Sequence, residues 1–86
     1  MIEVKEAALK AREYLSSVLG LGITGITLEE IELDEGNGYW LITLGYFAQE
    51  GPFPGIYGIP KKNYKVFKVR ASDGQVISMK IRDTNE

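Results

Sequence analysis

Apolar residues recur at three- and four-residue spacing through Val4, Ala7, Ala8, Ala11, Tyr14, Leu15 and Val18, the spacing that puts them on one face of a helix. Glu6 and Lys10 lie on the other face, with the acid four residues nearer the N-terminus, the favourable order for an exposed pair. Gly20 supplies the stop. From Ile26 the period falls to two. Ile31 and Leu33 alternate with Glu30, Glu32 and Asp34, which predicts a strand with one buried and one solvated face. Asp34 to Gly38 read as a hairpin connection.

The second predicted strand, 39–47, is apolar at both parities, with Trp40, Ile42, Leu44 and Tyr46 on one side and Tyr39, Leu41 and Phe47 on the other. Such a strand belongs in the centre of a sheet, and Trp40 is assigned to the core because its ring supplies a large part of the burial open to so short a chain. A third strand, 64–71, places Phe67, Val69 and Ala71 on one face and Val66, Lys68 and Arg70 on the other. Asp73-Gly74 predicts a tight hairpin with two consecutive residues at positive φ. A last strand, 76–82, alternates Ile77, Met79 and Ile81 with Ser78, Lys80 and Arg82. The predicted fold is α+β, with one N-terminal helix packed on a four-stranded antiparallel sheet in an α-β-β-β-β meander. With 86 residues, 44% of them hydrophobic, there is material for one core, so residues 1–86 are read as a single domain.

This order and several residues resemble the PepSY-like domains, small modules in the shape class of a cystatin-like fold. The resemblance is carried by Glu6-Ala7-Ala8-Leu9-Lys10-Ala11 in the helix, Leu28-Glu29-Glu30-Ile31-Glu32 in the first strand, and Tyr39-Trp40-Leu41-Ile42 in the second. Tyr64-Lys65-Val66-Phe67-Lys68-Val69, continuing through Ser72-Asp73-Gly74-Gln75-Val76, completes it over most of residues 4 to 82. It implies a domain that binds or inhibits peptidases, with no agreed catalytic residue set. The chain lacks the Gln-x-Val-x-Gly wedge of cystatins in its first hairpin, where Asp34 to Gly38 stand instead, which argues against inhibition of the cystatin kind.

Composition narrows the chemistry. There are no histidines and no cysteines, which removes thiol nucleophiles, Ser-His-Asp and Cys-His pairs, Cys or His zinc sites and disulfides. The reading is therefore a non-enzyme without cofactor or metal. Gly20-Leu21-Gly22-Ile23-Thr24-Gly25 spells G-x-G-x-x-G, but its glycines leave a helix and enter a strand, the reverse of a dinucleotide site, and a loop is preferred. Asp34 to Asn37 lack the alternating acids of a calcium loop and read as a turn. Glu30, Glu32 and Asp34 stand about 7 Å apart along one strand face, a superficially catalytic spacing, yet nothing in the sequence predicts the burial that a general acid needs. They read as a solubilising face. Nothing in residues 1–19 forms an uninterrupted apolar leader or a membrane span, so a chain beginning natively at Met1 is expected in the cytoplasm, away from membranes.

The formal net charge of −2 conceals two opposed regions. Between residues 29 and 50 stand Glu29, Glu30, Glu32, Asp34, Glu35 and Glu50 and no base. Between 61 and 82 stand Lys61, Lys62, Lys65, Lys68, Arg70, Lys80 and Arg82 against Asp73 alone. Basic strands with interleaved aromatics bind single-stranded nucleic acid in some folds, but the aromatics here do not follow that signature and a protein partner is preferred.

Three sets of residues form the candidate site. Residues 51–60 are too long and too rich in Pro, Gly and aromatics for an ordinary connection, and offer Phe53, Ile56, Tyr57 and Ile59 as partner-binding residues. Tyr39, Leu41, Val66 and Val76 are assigned opposite the helix, and Tyr39, Leu41 and Val66 form a self-association patch suited to a homodimer. Glu30, Glu32, Lys65, Lys68 and Arg70 form a charged rim. The expected function is binding of a protein or peptide with residues 51–60 as the contact element, inhibition of the partner included. The alternatives are an immunity- or antitoxin-like protein acting through its charged faces and a structural homodimer.

Overall fold

In the computed structural model, described over residues 1–48 and 62–82, a helix α1 (Val4–Leu19) is followed by a 3-10 turn (Gly20–Gly22) and four strands. These are β1 (Ile23–Asp34), β2 (Tyr39–Ala48), β3 (Lys62–Arg70) and β4 (Val76–Ile81), all antiparallel and in the spatial order β1-β2-β3-β4. The α+β meander expected from the apolar pattern is the observed fold.

α1 buries Ala7, Ala11 and Leu15 against one side of the sheet. Two alanines let the helix axis approach closely, and Leu15 fills the space among Ile42, Leu44, Tyr46, Phe67 and Val69. The helical pattern is narrower in the structure than in the sequence: Tyr14 and Val18 are exposed, although the Tyr14 ring still meets the buried Phe67 edge-on, at 6.4 Å and 79°. The Gly20 N–H returns to the Ser16 carbonyl and ends the helix. At its other end, the Ile2 N–H donates to the Ala71 carbonyl at 2.7 Å and Trp40 Nε1 donates to the Ile2 carbonyl at 3.2 Å. Trp40 thus lies half-buried at the rim of the core, because its indole N–H must reach a polar partner.

Cross-strand pairing fixes which residues share a side. Ile42 pairs with Ile31 on β1 and Phe67 on β3, and Phe67 with Met79 on β4. This is the helix side. Two expectations fail at the edges of the sheet. Ile31 is exposed, since it stands on an edge strand beyond the helix, and Leu33 is only half-buried. Val76, assigned above to the side away from the helix, pairs with Val69 and packs against the core, because a register shift between Lys68 and Val69 reverses its parity.

The β3–β4 connection also departs from the expected two-residue turn. Gly74 alone has positive φ, at 80°, and its N–H donates to the Arg70 carbonyl at 2.7 Å, while Asp73 Oδ1 accepts the Gln75 N–H at 3.0 Å. The carboxylate stabilises the turn in place of a second left-handed residue.

Candidate functional site: the open face of the sheet

Away from α1, side chains of the sheet form paired rows. One row runs Asp34, Tyr39, Arg70; the next Glu32, Leu41, Lys68, Ser78; the next Glu30, Thr43, Val66, Lys80. Among the described residues, no helix or strand covers this side. Acids stand on β1, bases on β3 and β4, and Tyr39, Leu41, Tyr64 and Val66 lie half-buried between them. The charge asymmetry of the sequence is thus a gradient across one face.

The gradient is partly closed by the protein itself. Lys62 Nζ reaches Glu29 at 2.9 Å across β2, passing over Gly45, which stands between Thr27 on β1 and Tyr64 on β3. A Cβ at residue 45 would lie 2.7 Å from Lys62 Cε and 2.9 Å from Glu29 Oε2, so the crossing needs glycine there. The Thr27 hydroxyl donates to the same Glu29 carboxylate. Hydrogen bonds from Thr27, then from Lys62, hold the Glu29 carboxyl below its ordinary pKa, and the Glu29 carboxylate raises that of Lys62. A second crossing follows above Thr43: Arg82 Nη1 donates to Glu30 Oε1 at 2.6 Å and to the Thr43 hydroxyl at 3.2 Å. Thr43 is buried beneath it. Beside this arm lies a cleft of ≈ 330 Å³ lined by Glu30, Glu32, Leu41, Thr43, Val66 and Arg82.

The rim residues divide accordingly. Glu30 is bound to Arg82, Arg70 pairs with Asp73 at 3.1 Å, and Lys68 Nζ stands 5.1 Å from the centroid of Tyr39. Glu32 and Lys80 have no ion pair among the described residues. Lys65 leaves the set: it pairs with Leu44 and Ile81 and therefore belongs to the helix side. Of the self-association patch, Tyr39, Leu41 and Val66 are together on the open face as expected. Phe53, Ile56, Tyr57 and Ile59 lie outside the described residues. Sequence reasoning missed the two arms over β2. The signal for the Glu29–Lys62 arm was Gly45, the one glycine in the run from Tyr39 to Phe47.

The two edges of the sheet contrast with its face. β1 carries register shifts between Thr24 and Thr27 and between Leu28 and Glu30, and β4 is six residues long with an exposed Lys80. Bulges, shortness and lysine are devices that block strand addition at an edge. Among the described residues, no helix is long and apolar enough to cross a membrane. The chain matches no family model, no curated protein and no solved structure.

Proposed function

We propose that this chain is a non-enzymatic module of PepSY-like or cystatin-like architecture that binds a protein or peptide through the open face of its sheet, restraining that partner's activity where the partner is an enzyme. The observation that carries the reading is the half-buried stripe of Tyr39, Leu41 and Val66 between an acidic and a basic flank, on a side with no covering layer among the described residues. An apolar centre with a charged rim is the usual anatomy of a protein contact surface. The composition supports binding over catalysis, since the chain has neither His nor Cys. Residues 51–60, with Phe53, Ile56, Tyr57 and Ile59, are the contact element expected from sequence; they lie outside the described residues, and the open face is proposed in addition to them.

The test is a photo-reactive side chain, Leu41→benzoylphenylalanine, compared in cells with the same substitution at Glu13 on the exposed side of α1. Covalent adducts to protein from position 41 and none from 13 are expected. Equal yields, or adducts from 13 alone, overturn the assignment. A second reading, an immunity- or antitoxin-like protein held by charge, draws on the acid-to-base gradient. The Glu29–Lys62 and Glu30–Arg82 arms already consume part of that gradient. Salt separates the two: near 1 M the screening length falls to about 3 Å, so contact through an apolar centre persists and a charge-held complex dissociates.

A further inference from the structure

We infer that the partner of the open face is a second copy of this chain, related by a two-fold axis that runs parallel to the strands between β2 and β3. The inference rests on the binding reading above and follows from the order of charge across the sheet. The acids of the face stand on the edge strand β1 and its bases on β3 and the opposite edge strand β4, and their rows are level: Glu30 lies in register with Thr43, Val66 and Lys80. Two such faces can be stacked by a two-fold in only two simple ways. An axis across the strands sets β1 on β1 of the other copy and opposes Glu30, Glu32 and Asp34 to themselves. An axis along the strands sets β1 over β4, keeps every row at its height, and brings Glu30 of each copy over Lys80 of the other. Only the second is electrostatically complementary.

The same operation places β2 over β3 of the other copy. Thr43 then lies over Val66, and Tyr39 lies over Arg70, whose guanidinium can stack on the ring. Face-to-face sheets pack about 10 Å apart with strands nearly aligned, a gap that a glutamate and a lysine side chain together span. At about 4.8 Å between strands and about 3.3 Å per residue, the footprint is roughly 500 Å² per copy, below the roughly 800 Å² of a standard stable interface. The dimer is therefore reversible and concentration-dependent. Glu30 keeps one carboxylate oxygen on its own Arg82, which leaves the second for Lys80 of the other copy.

Sedimentation equilibrium from roughly 10 µM to roughly 1 mM spans the affinities expected of so small an interface. The parent protein should pass from monomer to dimer over that range. Glu30→Lys and Lys80→Glu should each remain monomeric and keep the parent circular-dichroism spectrum. An equimolar mixture of the two should dimerise, since every cross-copy contact again joins opposite charges. A mixture that stays monomeric while the parent dimerises refutes the axis. A parent that stays monomeric throughout refutes self-association, and the position-41 adducts then decide the wider reading: adducts with another protein preserve face binding, and their absence ends both. Should either single variant lose its fold, Lys80→Ala replaces Lys80→Glu and Glu30→Gln replaces Glu30→Lys. Each neutral variant alone is then expected to weaken dimerisation at least several-fold, and unchanged association refutes the contact.

Discussion

Neighbouring residues of β2 make opposite demands on the fold, and replacing each with alanine measures the parity of the whole sheet. Ile42 is completely buried under α1, whereas Leu41 is half-buried on the open side. Ile42→Ala and Leu41→Ala remove the same three carbons. At about 0.8 kcal/mol per buried carbon, the transfer loss at Ile42 is about 2.4 kcal/mol. A residual cavity adds roughly 1 kcal/mol, for a total of about 3–4 kcal/mol. Leu41, which keeps only a minor part of its surface exposed, forfeits most of the transfer loss and leaves no enclosed cavity, so about 1.5–2 kcal/mol is expected. The gap of about 1–2 kcal/mol corresponds to roughly 5–15 °C in Tm for a domain of this size.

Urea unfolding at low micromolar concentration, where the monomer prevails, gives both values with a common m. Total stability on the order of 4–13 kcal/mol leaves Ile42→Ala measurable in all but the weakest case. Ile42→Val, at about 0.5–1.5 kcal/mol, covers that case. Equal losses, or a larger loss at Leu41, would refute the assignment of faces. A one-residue slip exchanges the two sides of a strand completely, so the Tyr39-Leu41-Val66 stripe would then be core and the proposed surface would not exist.

Two further outcomes follow from individual contacts. Because the folded Glu29 carboxyl sits below its usual 4.5, its stabilisation is complete above that value and is lost as pH falls through the depressed one. Lys62, raised above 10.5, contributes fully below 10.5 and loses its share as pH climbs past its folded value. The urea midpoint of the parent minus that of Glu29→Gln should thus be flat at neutral pH and shrink in both the acid and the alkaline range, and Gly45→Val, which obstructs the crossing, should give the same profile as Glu29→Gln. A difference independent of pH would show that the pair does not form. Trp40→Phe removes the bond to the Ile2 carbonyl at a cost of about 0.5–1.5 kcal/mol, and amide exchange at Ile2 should quicken relative to Ile42. Unchanged exchange would place the start of the chain under other control.

The strand order and the helix were legible because both rest on local periodicity: Ala7, Ala11 and Leu15 for the helix, Phe67 and Val69 against Val66 and Lys68 for β3. What escaped was everything set by a partner strand. The parity of Val76 depends on a register shift in a pairing that no local window contains. The exposure of Ile31 depends on α1 being too narrow to cover an edge strand. Lys65 read as rim because it is basic and lies in a basic stretch, yet the strict alternation from Phe67 already put it on the helix side. The patch of Tyr39, Leu41 and Val66 was legible for the opposite reason, since β2 is apolar at both parities and only one side can be taken by the helix.

Charge segregation acquires a physical purpose once the arms over β2 are considered. If the acids of β1 served solubility alone, their position relative to the bases would be arbitrary. Instead Gly45 lacks the side chain that would separate Glu29 from Lys62, and Arg82 reaches past Thr43 to Glu30. Both arms lie across the face, so both hold rotamers that would otherwise have to be ordered when a partner arrives, and ordering side chains is among the main costs of association. The arms leave Glu32 and Lys80 without ion pairs among the described residues, on opposite flanks of the apolar stripe. A face prepared in this way discriminates by direction: a partner with the same gradient must enter turned about the strand axis, and one without it gains only the apolar centre.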